Sequence, residues 1–133
     1  NTGMEIVRVN YNNGNPVIVD DSLLQDKSDR YYFIDSIVLD ENEVFLSPLD
    51  LNIENNEIEY VDGNVKPVIR IASPLTNDAG DKLGIIIVNY LADSLFKQLD
   101  NVDSSFSQGI EIINDDGYYL YAIDDDVYSK EEQ

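Results

Sequence analysis

The hydrophobic pattern of this chain is clearest between residues 66 and 91, where two apolar segments flank a polar one. Residues 67–74 alternate between two sets of side chains, as in a β-strand, and residues 83–91 form a β-branched run that is too apolar for a sheet edge. The segment between them contains Asn, Asp and Gly, which tolerate turn dihedrals. The pattern therefore predicts a β-hairpin at the centre of a sheet. Its first strand would carry Val68, Arg70 and Ala72 on one face and Ile69, Ile71 and Ser73 on the other.

An arginine inside the first of these strands is chemically unusual. Burying an unpaired guanidinium is costly, so Arg70 should lean into solvent, pair with a carboxylate or line a polar cavity. A polar cavity would make Arg70 part of a ligand site, whereas an arginine on a solvated strand face needs no function. The sequence alone leaves these alternatives open.

Further strands and two helices are predicted around this hairpin. Ser28 is suited to cap a helix over residues 29–39, and a second amphipathic helix follows Asp93 or Ser94. Residues 52–66 are polar and predict a loop or a weak hairpin. The predicted strands are residues 4–11, 16–19, 43–51, 67–74 and 83–91. Together they predict an α+β fold with one central five-stranded antiparallel sheet flanked by helices. In this sheet we expect burial of Ile69, Ile71, Ile85 and Ile87.

A hairpin signal returns near the end of the sequence. Residues 110–113 and 118–122 flank an Asn-Asp-Asp-Gly turn, but too few residues follow to repeat the whole earlier pattern. We therefore assign residues 1–101 to one module and residues 102–133 to a connector and the start of a second, truncated module. On this assignment the tail should make few core contacts with the first module. The alternative is that the hairpin completes a single domain.

Composition narrows the classes of function. With 27 acidic and 8 basic residues, the formal net charge of -19 would repel nucleic acids and anionic lipid surfaces. The sequence contains no Cys and no His, which excludes disulfides, thiolate chemistry, histidine bases and zinc sites built on those ligands. No run approaches the roughly 20 apolar residues of a membrane span. We expect no enzyme activity, no metal and no cofactor in this domain.

Acidic clusters at several turns are possible ligands for calcium, which prefers carboxylate and carbonyl oxygens. None has the spacing of an EF-hand loop, so solvated turns explain them better. The clusters are Asp100 with Asp103, Asp115 with Asp116, and Asp124 to Asp126.

Four segments in fixed order carry a family resemblance: DRYYF (29–33), EVFLSPLDL (43–51), KPVIRIASPL (66–75) and KLGIIIVNYL (82–91). This series resembles the membrane-distal, PAS-like module of double Cache sensor domains, which are extracytoplasmic input domains of bacterial and archaeal histidine kinases, chemoreceptors and cyclic-dinucleotide enzymes. The later sequence DDGYYL resembles the start of the membrane-proximal module. The resemblance implies a PAS-like strand order, an extracytoplasmic location and a full-length receptor that is membrane-anchored and dimeric.

The resemblance also implies a site for a small polar or amino-acid-like ligand. Arg30, Tyr32 and Phe33 match an arginine and an aromatic pair of amino-acid-binding members, and Asp50 is the counterpart of an aspartate on the next strand. The guanidinium would pair with a ligand carboxylate, the aspartate with an ammonium, and the aromatic faces would wall the slot. The candidate ligand-binding residues are Arg30, Tyr31, Tyr32, Asp50 and Arg70.

Each candidate also has a purely structural explanation. Arg30 could pair with Asp26 or Asp29 on the helix surface, Asp50 could form an Asx turn, and the tyrosines could be core or rim aromatics. A ligand-free protein-interaction or dimerisation module therefore remains as an alternative to a ligand-sensing domain. A secreted acidic adhesin or carbohydrate-binding module is a more remote one.

Overall fold

The computed structural model describes residues 2–12, 14–54, 57–61, 63–99 and 110–122, and it has an α+β fold with antiparallel strand pairs. The backbone divides into two units, residues 1–46 with 71–88 and residues 47–70 with 89–133. The elements in chain order are β1 (Val9–Asn12), β2 (Asn15–Ile18), a 3-10 turn (Asp21–Leu23), α1 (Tyr31–Ile37), β3 (Phe45–Leu46), β4 (Asp50–Leu51), β5 (Ile53–Glu54), β6 (Glu57–Ile58), β7 (Tyr60–Val61), β8 (Asn64–Val65), β9 (Pro67–Thr76), β10 (Lys82–Leu91), α2 (Asp93–Leu99), β11 (Glu111–Ile113) and β12 (Tyr119–Ala122).

The opening hairpin of the first unit is confirmed. Strands β1 and β2 pair with Val9 opposite Ile18, and Gly14 in their turn has a φ of 85°, a conformation that glycine adopts without steric cost. The first strand is shorter than predicted, because residues 5–8 are not in a strand. Met4 instead forms a single bridge to Asp26.

The first helix is confirmed but begins later than predicted. The N-cap of α1 is Arg30, whose carbonyl accepts hydrogen bonds from the backbone N–H groups of Phe33 and Ile34. Ser28 is not the cap, because its own N–H donates to Asp26 Oδ1 at 2.8 Å in a turn before the helix. Asp26 thus forms an Asx turn with Ser28, and α1 begins after this turn without a side-chain cap.

The predicted third strand is divided into β3 and β4, and both pair antiparallel with β9. Phe45 lies opposite Ala72, and Asp50 lies opposite Val68. Residues 47–49 between the two short strands include Pro48, which has no N–H to donate to a ladder. Proline therefore accounts for the break in the strand.

The predicted five-stranded sheet is not confirmed. The largest sheet among the described residues has four strands in the order β10-β9-β3, with β4 also paired to β9. In the same residues, β1 and β2 pair only with each other, and β10 pairs only with β9. The turn residues that make β1 and β2 a hairpin specify local pairing only, and they carry no information about joining a distant sheet.

The predicted burial of four isoleucines is wrong. Ile71 is 40% exposed, and Ile69, Ile85 and Ile87 are only partly buried. On β9 the covered face is the opposite one, where Val68 is 1% exposed. Period-two alternation identifies which side chains share a face, but it does not identify which face is covered.

Residues 52–66 form weak hairpins, which is one of the two predicted alternatives. Strands β5 and β6 pair through Ile53 opposite Ile58, and β7 and β8 pair through Tyr60 opposite Val65. Each strand has only two residues, so these hairpins depend on the rest of their unit for stability.

The buried core of the second unit joins β4, α2 and the terminal hairpin, which consists of β11 and β12. Helix α2 is confirmed after Ala92, and it buries Phe96. The ring of Phe96 stacks on Tyr121 with centroids 4.7 Å apart. The core cluster consists of Leu51, Ala92, Phe96 and Leu120. Each large apolar side chain in it contributes about 1.5–3 kcal/mol by burial.

The expectation of few core contacts for the tail is therefore wrong, because Leu120 and Tyr121 pack with residues of the preceding segment. The assignment of residues 102–133 to a second module stays a prediction, and residues 102–109 and 123–133 lie outside the described part of the chain. The two helices that the structure describes have seven residues each, and neither is long enough to span a membrane.

Candidate functional site

The five predicted ligand-binding residues fall in two places. Arg30, Tyr31 and Tyr32 belong to the first unit, and Asp50 and Arg70 belong to the second.

In the first unit, the predicted residues lie at the start of α1. Arg30 is partly buried at the N-cap position. The Tyr31 ring makes edge contacts with Tyr32 at 5.5 Å and with Phe45 at 6.2 Å between centroids. These contacts bring the two predicted tyrosines together with an aromatic residue of β3. Packing between rings accounts for their positions without a ligand.

In the second unit, Arg70 is buried, with 4% of its surface exposed. This excludes the solvent-facing alternative. Its Nη2 donates to Asn52 Oδ1 at 3.2 Å, and Asn52 Nδ2 donates to Glu59 Oε2 at 2.5 Å. Glu59 Oε1 in turn forms an ion pair with Lys66 Nζ at 2.9 Å. The buried guanidinium is thus linked through a neutral amide to a carboxylate nearer the surface.

The backbone of Arg70 is held by Ser47, the residue that follows β3. Ser47 N–H donates to the Arg70 carbonyl at 2.9 Å, and Arg70 N–H donates to Ser47 Oγ at 2.8 Å. The Ser47 hydroxyl donates to the carbonyl of Pro48 at 2.7 Å. Where the break at Pro48 interrupts the ladder, a side chain therefore satisfies a buried N–H group of β9.

The ion pair of this network depends on the pKa of Glu59. Burial alone raises the pKa of its carboxyl, but hydrogen bonds from Lys66 and Asn52 and the charge of Lys66 together outweigh burial. The pKa of Glu59 therefore lies below its ordinary value of 4.5. Glu59 is ionised near neutral pH and keeps its ion pair there.

Asp50 lies beside a cavity of about 260 Å³ in the second unit. Its Oδ1 accepts hydrogen bonds from its neighbour Leu51 N–H at 2.7 Å and from Asn114 Nδ2 at 3.1 Å. The cavity lies against β4 on one side and the β11–β12 hairpin on the other. Its lining consists of Pro48, Leu49, Asp50, Ile112, Ile113, Asn114, Asp115, Asp116 and Leu120.

Asn114 fixes the turn that forms one wall of this cavity. Its Oδ1 accepts from Tyr118 N–H at 2.8 Å, and its backbone N–H donates to the Tyr118 carbonyl at 2.9 Å. Gly117 in the same turn has a φ of 87°. The same side chain closes the turn and binds Asp50, which ties the hairpin to β4.

Sequence reasoning missed five residues of these networks: Ser47, Asn52, Glu59, Lys66 and Asn114. Asn114 was recognised only as part of a turn, and Asn52 only as the first residue of a polar segment. An available signal was the break at Pro48, beside which unpaired backbone groups need side-chain partners.

The predicted acidic clusters give no metal centre in the described part of the chain, where no group of three or more acidic side chains is close enough to hold an ion. Asp115 and Asp116 line the cavity instead. Asp100, Asp103 and Asp124 to Asp126 lie outside the described residues. The groups at the cavity are suited to hydrogen bonding and ion pairing with a small molecule.

Two solved structures have a similar fold. One is a domain of a protein described as a sensory box/GGDEF family protein from Vibrio parahaemolyticus, with a TM-score of 0.71, 24% identity and coverage of 93% of this chain and 45% of that one. The other is the extracellular domain of a protein described as a histidine kinase, with a TM-score of 0.71, 24% identity and coverage of 93% and 43%. This chain therefore spans less than half the length of either structure.

No curated protein matches the chain significantly. A family model described as the sensor domain of bacterial histidine kinases matches residues 1–130, which is nearly the whole sequence. This confirms the sensor-domain resemblance of the sequence. The chain belongs to the family of bacterial histidine kinase sensor domains.

Proposed function

We propose that this sensor domain lies outside the cytoplasm in a transmembrane receptor and that its signal is a small polar or amino-acid-like molecule. The observation that carries the ligand part of the proposal is the cavity beside β4, because it contains Asp50, a residue that the sequence resemblance had singled out independently. Small-ligand sites typically combine apolar walls with a few placed polar groups, and this cavity has both.

The location and assembly of the receptor are proposed from the resemblance to double Cache domains. That resemblance supports an extracytoplasmic PAS-like module in a membrane-anchored, dimeric receptor. The acidic composition is compatible with a domain that must stay soluble in an aqueous compartment. Histidine kinase or cyclic-dinucleotide output would come from other parts of the receptor.

Binding in the cavity would transmit a signal through contacts on two sides. A ligand there would touch β4 and the turn between β11 and β12, which Asn114 already joins to Asp50. A ligand shifts a conformational equilibrium only as far as it binds one state more tightly than the other. A compound that bridges the strand and the hairpin would favour the state in which they are close.

A thermal-shift screen of the purified domain with amino acids, carboxylates, nucleobases and amines tests this proposal. A compound that binds only the folded state adds about 2.7 kcal/mol of stability at 100 times its dissociation constant. A reproducible, saturable rise in Tm with one compound class is the expected result. If no class raises Tm, the ligand-free interaction or dimerisation module becomes the better explanation.

The other predicted site residues, Arg30, Tyr31, Tyr32 and Arg70, remain proposals. Their substitution should be compared with that of Asp50 once the screen has identified a compound.

A further inference from the structure

The cavity beside β4 has an uneven distribution of chemical groups. Its apolar wall comes from both sides, with Leu49 from the β4 side and Ile112 and Leu120 from the hairpin. The ionisable side chains that line it within the described residues are all carboxylates, those of Asp50, Asp115 and Asp116. The cavity therefore offers an apolar surface next to concentrated negative charge.

The carboxylate of Asp50 uses its two oxygens differently. Both of its hydrogen bonds to described residues, from Leu51 N–H and Asn114 Nδ2, end on Oδ1. Within those residues Oδ2 accepts no hydrogen bond. One oxygen thus fixes the side chain, and the other keeps its acceptor capacity next to the cavity.

We propose that the ligand of this cavity is a small organic amine, bound as an ammonium ion with an apolar body and without a carboxylate. The ammonium would donate to Asp50 Oδ2, and the apolar body would pack on the Leu49, Ile112 and Leu120 wall. This inference rests on the proposed ligand-sensing function and narrows it to one class of compound.

The same charges explain why an amine should be preferred to the corresponding amino acid. The α-carboxylate of an amino acid would lie near three aspartates, whose like charges would repel it. A metal ion would gain nothing from the apolar wall, and no group of three acidic side chains in the described residues is arranged to coordinate one. The net charge of -19 also attracts cations to the domain.

The size of the cavity limits the ligand further. Sites for drug-sized molecules typically occupy about 300–1,000 Å³. A volume of about 260 Å³ lies just below that range, so a compound with a few carbon atoms is the expected occupant.

Matched pairs of compounds provide the direct test. Calorimetry of the intact domain with isobutylamine and valine, isoamylamine and leucine, and phenethylamine and phenylalanine compares molecules that differ only in the α-carboxylate. At least one amine should bind at least tenfold more tightly than its amino acid, and its affinity should fall as salt is added. Calcium chloride serves as the metal control and should weaken amine binding no more than sodium chloride does at the same ionic strength.

A charge-removing substitution tests the role of Asp50. Asp50→Asn keeps a side-chain oxygen that can accept from Leu51 and Asn114, so the fold should be retained. Losing a charge-assisted hydrogen bond should weaken amine binding about ten- to a hundredfold. Asp78→Asn, at an exposed position in the turn after β9, removes the same charge outside the cavity and should leave the affinity unchanged.

The outcomes separate this inference from the proposed function. Preferential binding of an amine that depends on Asp50 supports both. Tighter binding of amino acids or other carboxylates overturns the inference and leaves the sensing function in place, as does amine binding that Asp50→Asn does not weaken. If no member of the screen or of the matched pairs binds, the ligand-sensing function itself fails.

Discussion

Truncation of Leu120 to alanine should strongly destabilise the domain, because this side chain packs the terminal hairpin against the core of the second unit. Leu120 is 4% exposed and packs with Leu51 at 4%, Phe96 at 6% and Ala92 at 0%. The three carbon atoms removed are worth about 2.4 kcal/mol of transfer free energy at about 0.8 kcal/mol each. The cavity left behind adds to this, so we expect a loss of about 2–5 kcal/mol.

Urea denaturation followed by circular dichroism measures this loss, with Leu83→Ala as the matched control. Leu83 is a strand residue of the same type but is 59% exposed, so its truncation should cost less than about 1 kcal/mol. A Leu120→Ala variant that loses no more stability than the control would refute the reasoning. Deletion of residues 104–133 extends the test to the proposed module boundary, because a first module independent of the tail would survive it with little loss.

Three further predictions concern the polar networks and the first candidate group. Burial raises the pKa of Glu59, but Lys66 and Asn52 lower it below 4.5, so its contribution to stability is present above that pH and is lost as the pH falls. Glu59→Gln should therefore reduce the fall in unfolding free energy between about pH 5 and pH 3, and an unchanged pH profile would contradict this. Asn52→Ala should cost about 1–3 kcal/mol in urea denaturation, more than the same change at the exposed Asn89, because it breaks the link between a buried guanidinium and a carboxylate. If the compound that the screen identifies carries a carboxylate, Arg30→Ala should weaken its binding about ten- to a hundredfold without unfolding the domain. Equal affinities of the wild type and the Arg30→Ala variant in calorimetry would indicate that Arg30 has only a structural role.

The parts of the fold that depend on neighbouring residues could be predicted from the sequence. The opening hairpin, the hairpin of β9 and β10, and the terminal hairpin each follow from turn sequences with a glycine in the left-handed region, at Gly14, Gly80 and Gly117. Helix α2 follows from its apolar spacing after Asp93. These signals are local, so no tertiary information is needed to use them.

The errors arise where distant segments decide the outcome. Which face of β9 is covered depends on what packs against it, and the alternation of Ile69 and Ile71 with Val68 is compatible with either choice. The number of strands in the central sheet depends on pairing between distant segments, which the sequence pattern does not encode. The first helix begins later than predicted, and Ser28 instead lies in an Asx turn in which its N–H donates to Asp26.

In the candidate site, too, the sequence identified single residues but not the contacts between distant segments. Asp50 was selected from its place in the family pattern, and it does line a cavity. Its partner Asn114 lies 64 positions away, and nothing in the local sequence connects the two. The hydrogen bond from Arg70 to the amide of Asn52 was also missed, because the sequence alternatives for Arg70 did not include an amide acceptor.

The double use of Asn114 has an evolutionary consequence. Its side chain accepts from Tyr118 within the turn and donates to Asp50 on β4, so a change that removes the acceptor at position 50 or the donor at position 114 leaves a polar group of the other residue without its partner. Among relatives that keep this hairpin, the two positions should therefore change together. A serine or threonine at position 50 would still accept from the amide, whereas an aspartate at position 114 could close the turn but would set two carboxylates against each other. Sequence changes at positions 50 and 114 are thus limited to combinations of residues that keep a hydrogen-bond donor opposite an acceptor.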